Sequence, residues 1–160
     1  MAPITSSLDP IDMGILYLLQ EDARRNTNES IGEQLDIAGS TVGTRIRKLE
    51  NEGIIESYNP IINYERAGFD HHFVVTCSVP FEECDHYIEV IVEEVTGVVN
   101  IRKFYTANDN LLVEIVARTS KEFEKAIQEL KELDISIEDF EVVDRDVSQP
   151  FGQFGQEVIE

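Results

Sequence analysis

Positive charge is scarce in this chain. Its 160 residues carry 13 Lys and Arg against 32 Asp and Glu, a formal net charge of −19. In dilute salt such a chain repels itself and any polyanion. Long apolar runs are missing as well. No stretch of about 18 apolar residues occurs, so no membrane-spanning helix is expected. The N-terminus has no basic segment followed by an apolar core, so no secretory signal is expected and a cytoplasmic location is. Two cysteines, Cys77 and Cys84, are too few for a disulfide framework and should behave as small apolar side chains in a reducing compartment. The three histidines, His71, His72 and His86, form no metal-ligand spacing with them. His71 and His72 are adjacent, so on a strand they point to opposite faces. There is no Gly-rich phosphate loop and no nucleophile elbow. The pairs Glu82-Glu83 and Glu93-Glu94 read as solvated helix faces rather than a general acid and base. No cofactor, metal site or catalytic residue is therefore expected, and the chain is not expected to be an enzyme.

Against this background one stretch stands out. No acid lies between Ile37 and Leu49, and three of the 13 cations, Arg45, Arg47 and Lys48, fall within four residues there. A strongly acidic protein that keeps one small surface clear of negative charge has a surface that approaches a polyanion. Val42, Ile46 and Leu49 recur at helical spacing, so they form one apolar stripe. Ser40, Thr41, Thr44, Arg47 and Lys48 then lie on the other side, with Arg45 at the border. Gly39 and Ser40 suit an N-cap and Gly53 a C-terminal stop. Upstream, residues 27–36 read as a second short helix capped by Thr27, and residues 36–39 as the turn between the two. An earlier helix starts with Asp9 as cap and Pro10 in its first position, and buries Ile11, Ile15, Leu18 and Leu19. Two short helices, a tight turn and a polar, basic second helix spell a helix-turn-helix. A solvated amphipathic helix would explain the charge alone, but not the preceding helix and turn. Ile54 to Ile62 reads as a strand with a turn at Asn59-Pro60, a wing.

These residues resemble the N-terminal domain of the Lrp/AsnC (leucine-responsive, feast/famine) transcription regulators. The family's opening pattern is matched by Leu8, Asp9, Asp12, Ile15 and Leu16. The end of its recognition helix is matched by Arg45, Ile46, Leu49, Glu50, Gly53, Ile54 and Ile55. One departure lies in the turn, where the family usually has Gly and this chain has Asp36. Asp tolerates the left-handed conformation better than most residues.

The second half alternates differently. Phe73, Val75, Cys77 and Val79 alternate as in a half-buried strand. A helix follows over residues 82–96 with Ile88, Ile91, Val92 and Val95 on one face. Strands are expected over 98–105 and 111–117, a helix opened by Ser120 through Leu133, and a last strand over 135–147. The order βαββαβ is the ferredoxin-like split. It is similar to the family's effector domain, called RAM, which implies dimerisation through the sheet and a small-molecule site near the loop between the second and third strands. In this chain the loop register is held by Thr106, Ala107, Asn108, Asp109 and Asn110. Ala107 replaces the family's Gly and Asn110 its acid, which counts against a common amino acid as ligand. On this reading, restoring Gly and Asp at positions 107 and 110 should raise amino-acid affinity.

The expected fold class is therefore α+β. A winged helix-turn-helix occupies residues 1–62, a linker 63–70, a ferredoxin-like domain 71–147 and a tail 148–160. Phe151 and Phe154 leave two options for the tail, disorder or anchorage on a partner subunit. The expected function is sequence-specific regulation of transcription by a homodimer or higher homo-oligomer on double-stranded DNA. Ser40, Thr41, Thr44, Arg47 and Lys48 would contact DNA, and Arg45 would hold a phosphate or brace the helix. Two alternatives share the architecture: an enzyme resembling the siroheme decarboxylases, and a ligand-sensing co-regulator that does not bind DNA. The acids are spread over both halves, and the composition resembles that of haloarchaeal proteins. At about 1 M salt the Debye length is about 3 Å, which screens the self-repulsion.

Overall fold

The computed structural model describes residues 7–155. The chain forms two compact units. Of the described residues, one comprises those up to Pro60 together with those from Val147; the other is Ile61–Asp146.

The first unit begins with α1 (Pro10–Asp22). Asp9 caps it as expected. Its carboxylate accepts from the Asp12 N–H at 2.8 Å, and the Asp12 carboxylate accepts in return from the Asp9 N–H at 3.3 Å. Such reciprocal pairing satisfies two backbone donors that a helix start leaves open. Next come α2 (Asn28–Leu35), capped by Thr27, and α3 (Gly39–Asn51). Ile15, Leu18, Ile31, Val42 and Leu49 close into one buried core, with Leu35 and Ile46 at its margin. Each fully buried aliphatic side chain contributes about 1.5–3 kcal/mol.

The turn between α2 and α3 is tight for two reasons. Asp36 does adopt the left-handed conformation, φ 54°. In addition, a Cβ on Gly32 would lie 2.5 Å from the Ile37 carbonyl oxygen, so only glycine lets the turn fold back onto α2. The N-cap of α3 differs from expectation. It is Ala38, which makes no side-chain hydrogen bond, and Gly39 and Ser40 are already helical.

The expected wing strand is a second difference. Among the described residues no strand forms over 54–62. Ile54 and Ile55 instead turn back after Gly53, φ 70°, and donate their N–H groups to the Leu49 carbonyl at 2.9 and 3.2 Å. Ile54 and Ile55 pack against the helical core, whereas Ile61 and Ile62 are exposed. A strand forms a ladder only where a second strand offers its backbone groups.

The second unit is a four-stranded antiparallel sheet in the order β2-β3-β1-β4, where β1 is His71–Ser78, β2 Val98–Lys103, β3 Leu111–Ala117 and β4 Ser136–Val142. Helices α4 (Cys84–Glu94) and α5 (Ser120–Glu132) complete the βαββαβ order. Val75 and Cys77 of β1 and Leu111, Val113 and Ile115 of β3 form the core with Ile91, Phe123, Ala126 and Leu130. Burial pushes the Cys77 thiol up to about 12, with Glu138 adding to the effect, so this sulfur stays protonated. Three expected details differ. Val92 is 62% exposed, because Cys84, Ile88, Ile91 and Val95 already fill the inward stripe of α4. The cap of α5 is Thr119, whose hydroxyl accepts from the Glu122 N–H, so Ser120 is the first helical residue. The last strand ends at Val142 rather than Val147.

Residues 63–70 are not extended. Tyr64 to Gly68 form turns, with Phe69 N–H donating to the Tyr64 carbonyl at 2.8 Å. The Arg118 guanidinium lies 4.8 Å from the centre of the Phe69 ring, and Tyr64 meets His72 edge-on. The segment thus folds onto the sheet unit.

Candidate DNA-binding surface

The helical register of α3 separates its side chains by role. Val42 and Leu49 are buried, Ile46 is half-buried, and Ser40, Thr41, Thr44, Arg47 and Lys48 are all exposed. The exposed face is internally ordered. The Thr44 hydroxyl donates to the Ser40 carbonyl at 3.0 Å, and Arg47 Nη2 donates to the Thr44 hydroxyl at 3.3 Å. Lys48 Nζ lies 3.9 Å from a Glu52 carboxylate oxygen one turn on. An exposed pair at that distance is weak and leaves the ammonium free to exchange partners.

Arg45 is arranged differently. Its Nη1 donates to Asp9 Oδ2 at 2.6 Å and to Asp12 Oδ1 at 2.8 Å, so the guanidinium faces α1. Of the two roles open to Arg45, this geometry suits the brace. Asp12 is only 6% exposed and would be a buried, unpaired carboxylate without it. The two acids raise the Arg45 pKa, Asp9 most strongly. Burial works against ionisation of Asp9, yet the Asp12 N–H and the Arg45 guanidinium together hold its carboxyl below the ordinary value.

The sequence offered a signal for this pair. Asp12 sits one turn before Ile15 and Leu16, on the inward face of α1, where a carboxylate needs a cation. Tyr58, also unassigned by the sequence, donates its hydroxyl to Glu50 Oε1 at 2.8 Å and is pushed up to about 12, by burial first and then by Glu50.

The loop of Thr106 to Asn110 has two kinds of residue. Thr106, Ala107, Asn108 and Asp109 are exposed, but Asn110 is 0% exposed. Its side-chain oxygen accepts from the Val79 N–H at 3.0 Å and its amide donates to the Val79 carbonyl at 2.8 Å. Asp109, at φ 51°, donates its N–H to the Ser78 hydroxyl at 2.8 Å. Of the five residues expected at an effector site, Asn110 alone is buried, with its side chain closing the start of β3 onto the end of β1. Among the described residues no group of His, Cys, Asp and Glu could hold a metal ion, and no helix is long and apolar enough to cross a membrane.

The family model described as winged helix-turn-helix DNA-binding matches residues 8–56. An uncharacterised HTH-type transcriptional regulator of Pyrococcus horikoshii is 31% identical over 124 residues, covering 76% of this chain and 75% of its own length. The HTH-type transcriptional regulator LrpB of Bacillus subtilis is 42% identical over 62 residues, 39% of this chain and 41% of that protein. The chain belongs to the Lrp/AsnC family of helix-turn-helix transcription regulators. The solved structure of Bacillus subtilis LrpC superposes with a TM-score of 0.70 at 21% identity, covering 89% of this chain and 99% of that one. Lrp/AsnC proteins thus share the whole α+β order seen here, a helix-turn-helix domain followed by the sheet domain. The matched winged helix-turn-helix DNA-binding domain contains the whole of α3.

Proposed function

We propose that this regulator recognises specific double-stranded DNA sites through the exposed face of α3. Ser40 and Thr41, at a helix start with no side-chain cap, would touch the phosphate backbone or base edges, and Thr44, Arg47 and Lys48 would face the major groove. Arg45 acts from behind, by fixing α3 on α1. The observation that carries this reading is the division of the acid-free stretch of α3, up to Lys48, into exposed Ser40, Thr41, Thr44, Arg47 and Lys48 and an inward, ion-paired Arg45. The protein works as a homodimer or higher homo-oligomer built on the sheet unit. Alternate residues of β1 and β3, among them Val74, Thr76, Leu112 and Glu114, face away from the core side and support such a contact. A dimer would set two recognition helices at half-sites roughly 34 Å apart. A small-molecule effector, where one acts, meets Thr106, Ala107, Asn108 and Asp109 rather than Asn110. The protein acts by binding and not by catalysis, in the cytoplasm of a cell with high internal salt, as the spread of its acids over both units suggests. A mobility-shift assay on the region upstream of its own gene tests the central claim. A retarded band that survives excess unrelated DNA, and is weakened by Arg47→Ala, is expected. Equal binding to unrelated DNA would overturn specific recognition.

A further inference from the structure

The sheet unit ends its last strand at Val142, yet the chain continues and packs elsewhere. Gly152–Phe154 forms a short 3-10 turn against α1. Phe154 joins the margin of the helical core. Phe151 meets it edge-on, ring centroids 4.8 Å apart, and donates its N–H to Gln20 Oε1 at 3.3 Å. Gly155 is buried against Tyr17, and a Cβ there would lie 2.6 Å from the tyrosine ring. Two aromatic side chains, one backbone hydrogen bond and one glycine that must lack a side chain make a specific seat.

We propose that residues 151–155 are an intramolecular docking segment whose acceptor is the Tyr17–Gln20 face of α1, giving the helical unit a second covalent tie to the sheet unit besides residues 61–70. Only eight residues, 143–150, separate β4 from the segment. A tether that short keeps the local concentration of the segment in about the millimolar range, so a modest contact stays occupied. The acceptor helix matters. The N-terminal acids of α1, Asp9 and Asp12, hold Arg45 of α3. A segment leaving the sheet unit therefore grips the same helix that braces the recognition helix. This consequence rests on α3 being the DNA reader; the docking itself does not.

Hydrogen exchange on the full chain tests the docking. Phe154→Ala removes the anchor, and Gly155→Val drives a side chain into Tyr17. Both should speed exchange of the α1 amides around Tyr17 to Asp22 by about tenfold or more and leave the β3 amides unchanged. Protection in the unsubstituted chain should not depend on protein concentration. Unchanged α1 exchange in both variants would overturn the docking, and protection that fades on dilution would overturn the intramolecular assignment in favour of a second copy. Absence of DNA binding in the unsubstituted protein would strike the DNA-reading proposal and leave the exchange result standing.

Discussion

Arg45 and Asp12 stand 33 residues apart in sequence and 2.8 Å apart in space. The pair joins the recognition helix to the first helix, with Asp9 as a second acceptor for the same nitrogen. It follows that the cations of α3 divide into one that supports the fold and two that remain for a ligand.

Arg45→Ala should lower the stability of the helical unit by about 1–3 kcal/mol, because Asp12 is left buried without its positive partner, with just the Asp9 N–H donating to it. Arg47→Ala should leave stability within about 0.5 kcal/mol, since its side chain is exposed. On DNA the order reverses in kind: Arg47→Ala loses about 1–3 kcal/mol of binding through a direct contact. Thermal unfolding and fluorescence anisotropy of the two variants side by side check this. Equal melting temperatures would mean that the Arg45 pair does not brace the fold.

Acid should weaken the pair that Asp9 makes with Arg45. The Asp9 carboxyl is held below its ordinary value in the folded chain, so its stabilisation is complete above the unfolded value of about 3.9 and disappears as pH falls through the lowered one. The chain as a whole carries 32 acids whose protonation also relieves self-repulsion, so the relevant quantity is a difference. The stability gap between unsubstituted protein and Asp9→Asn should be present at pH 6 and shrink below pH 4. A gap that stays constant across that range would show that the Asp9 charge is irrelevant.

Asn110→Asp should destabilise the sheet unit by about 1–3 kcal/mol. A carboxylate can still accept from the Val79 N–H, but it has no hydrogen for the Val79 carbonyl, and the site is fully buried. Consequently Ala107→Gly with Asn110→Asp should not create an amino-acid site, contrary to the expectation from sequence. Unfolding together with calorimetric titration of leucine measures both halves. A stable double variant that binds leucine tightly would restore the ligand reading of position 110.

Salt should affect DNA binding less than it does for ordinary repressors. Each neutralised phosphate contributes about −0.9 to the slope of log K against log salt. Here only Arg47 and Lys48 project from α3, and the chain carries a net charge of −19 that repels DNA until it is screened. Specific binding is expected to persist above about 1 M potassium salt with a shallow or positive slope. A steep decline, with stable folding in dilute buffer, would contradict the halophilic proposal.

Much of this architecture is legible in the chain because local and global signals agree. Asp9-Pro10 starts α1, Thr27 caps α2, and the alternation of Phe73, Val75 and Cys77 marks β1. Signals fail where a residue's role is set by a distant partner. Nothing near Asn110 announces that Val79 will take both of its hydrogen bonds. For Arg45 the sequence leaves two roles open, a phosphate contact or a brace, and it takes the packing of α1 beside it to favour the second. The strand expected over Ile54 to Ile62 fails for a related reason: a short apolar segment cannot specify a strand without a neighbour, and Gly53 sends the first two isoleucines back to the core. Val92 reads as inward from its helical spacing to Ile88 and Val95, yet it lies at the edge of that stripe and is exposed.

The seat of Phe151 on Gln20 joins residues 131 positions apart, within a unit whose three helices otherwise lie together in sequence. During synthesis the helices can assemble as soon as α3 has left the ribosome, because their contacts are local. Their last contact must wait until the whole sheet unit has been made. The DNA-reading half is thus the first part of this protein to begin folding and among the last to finish.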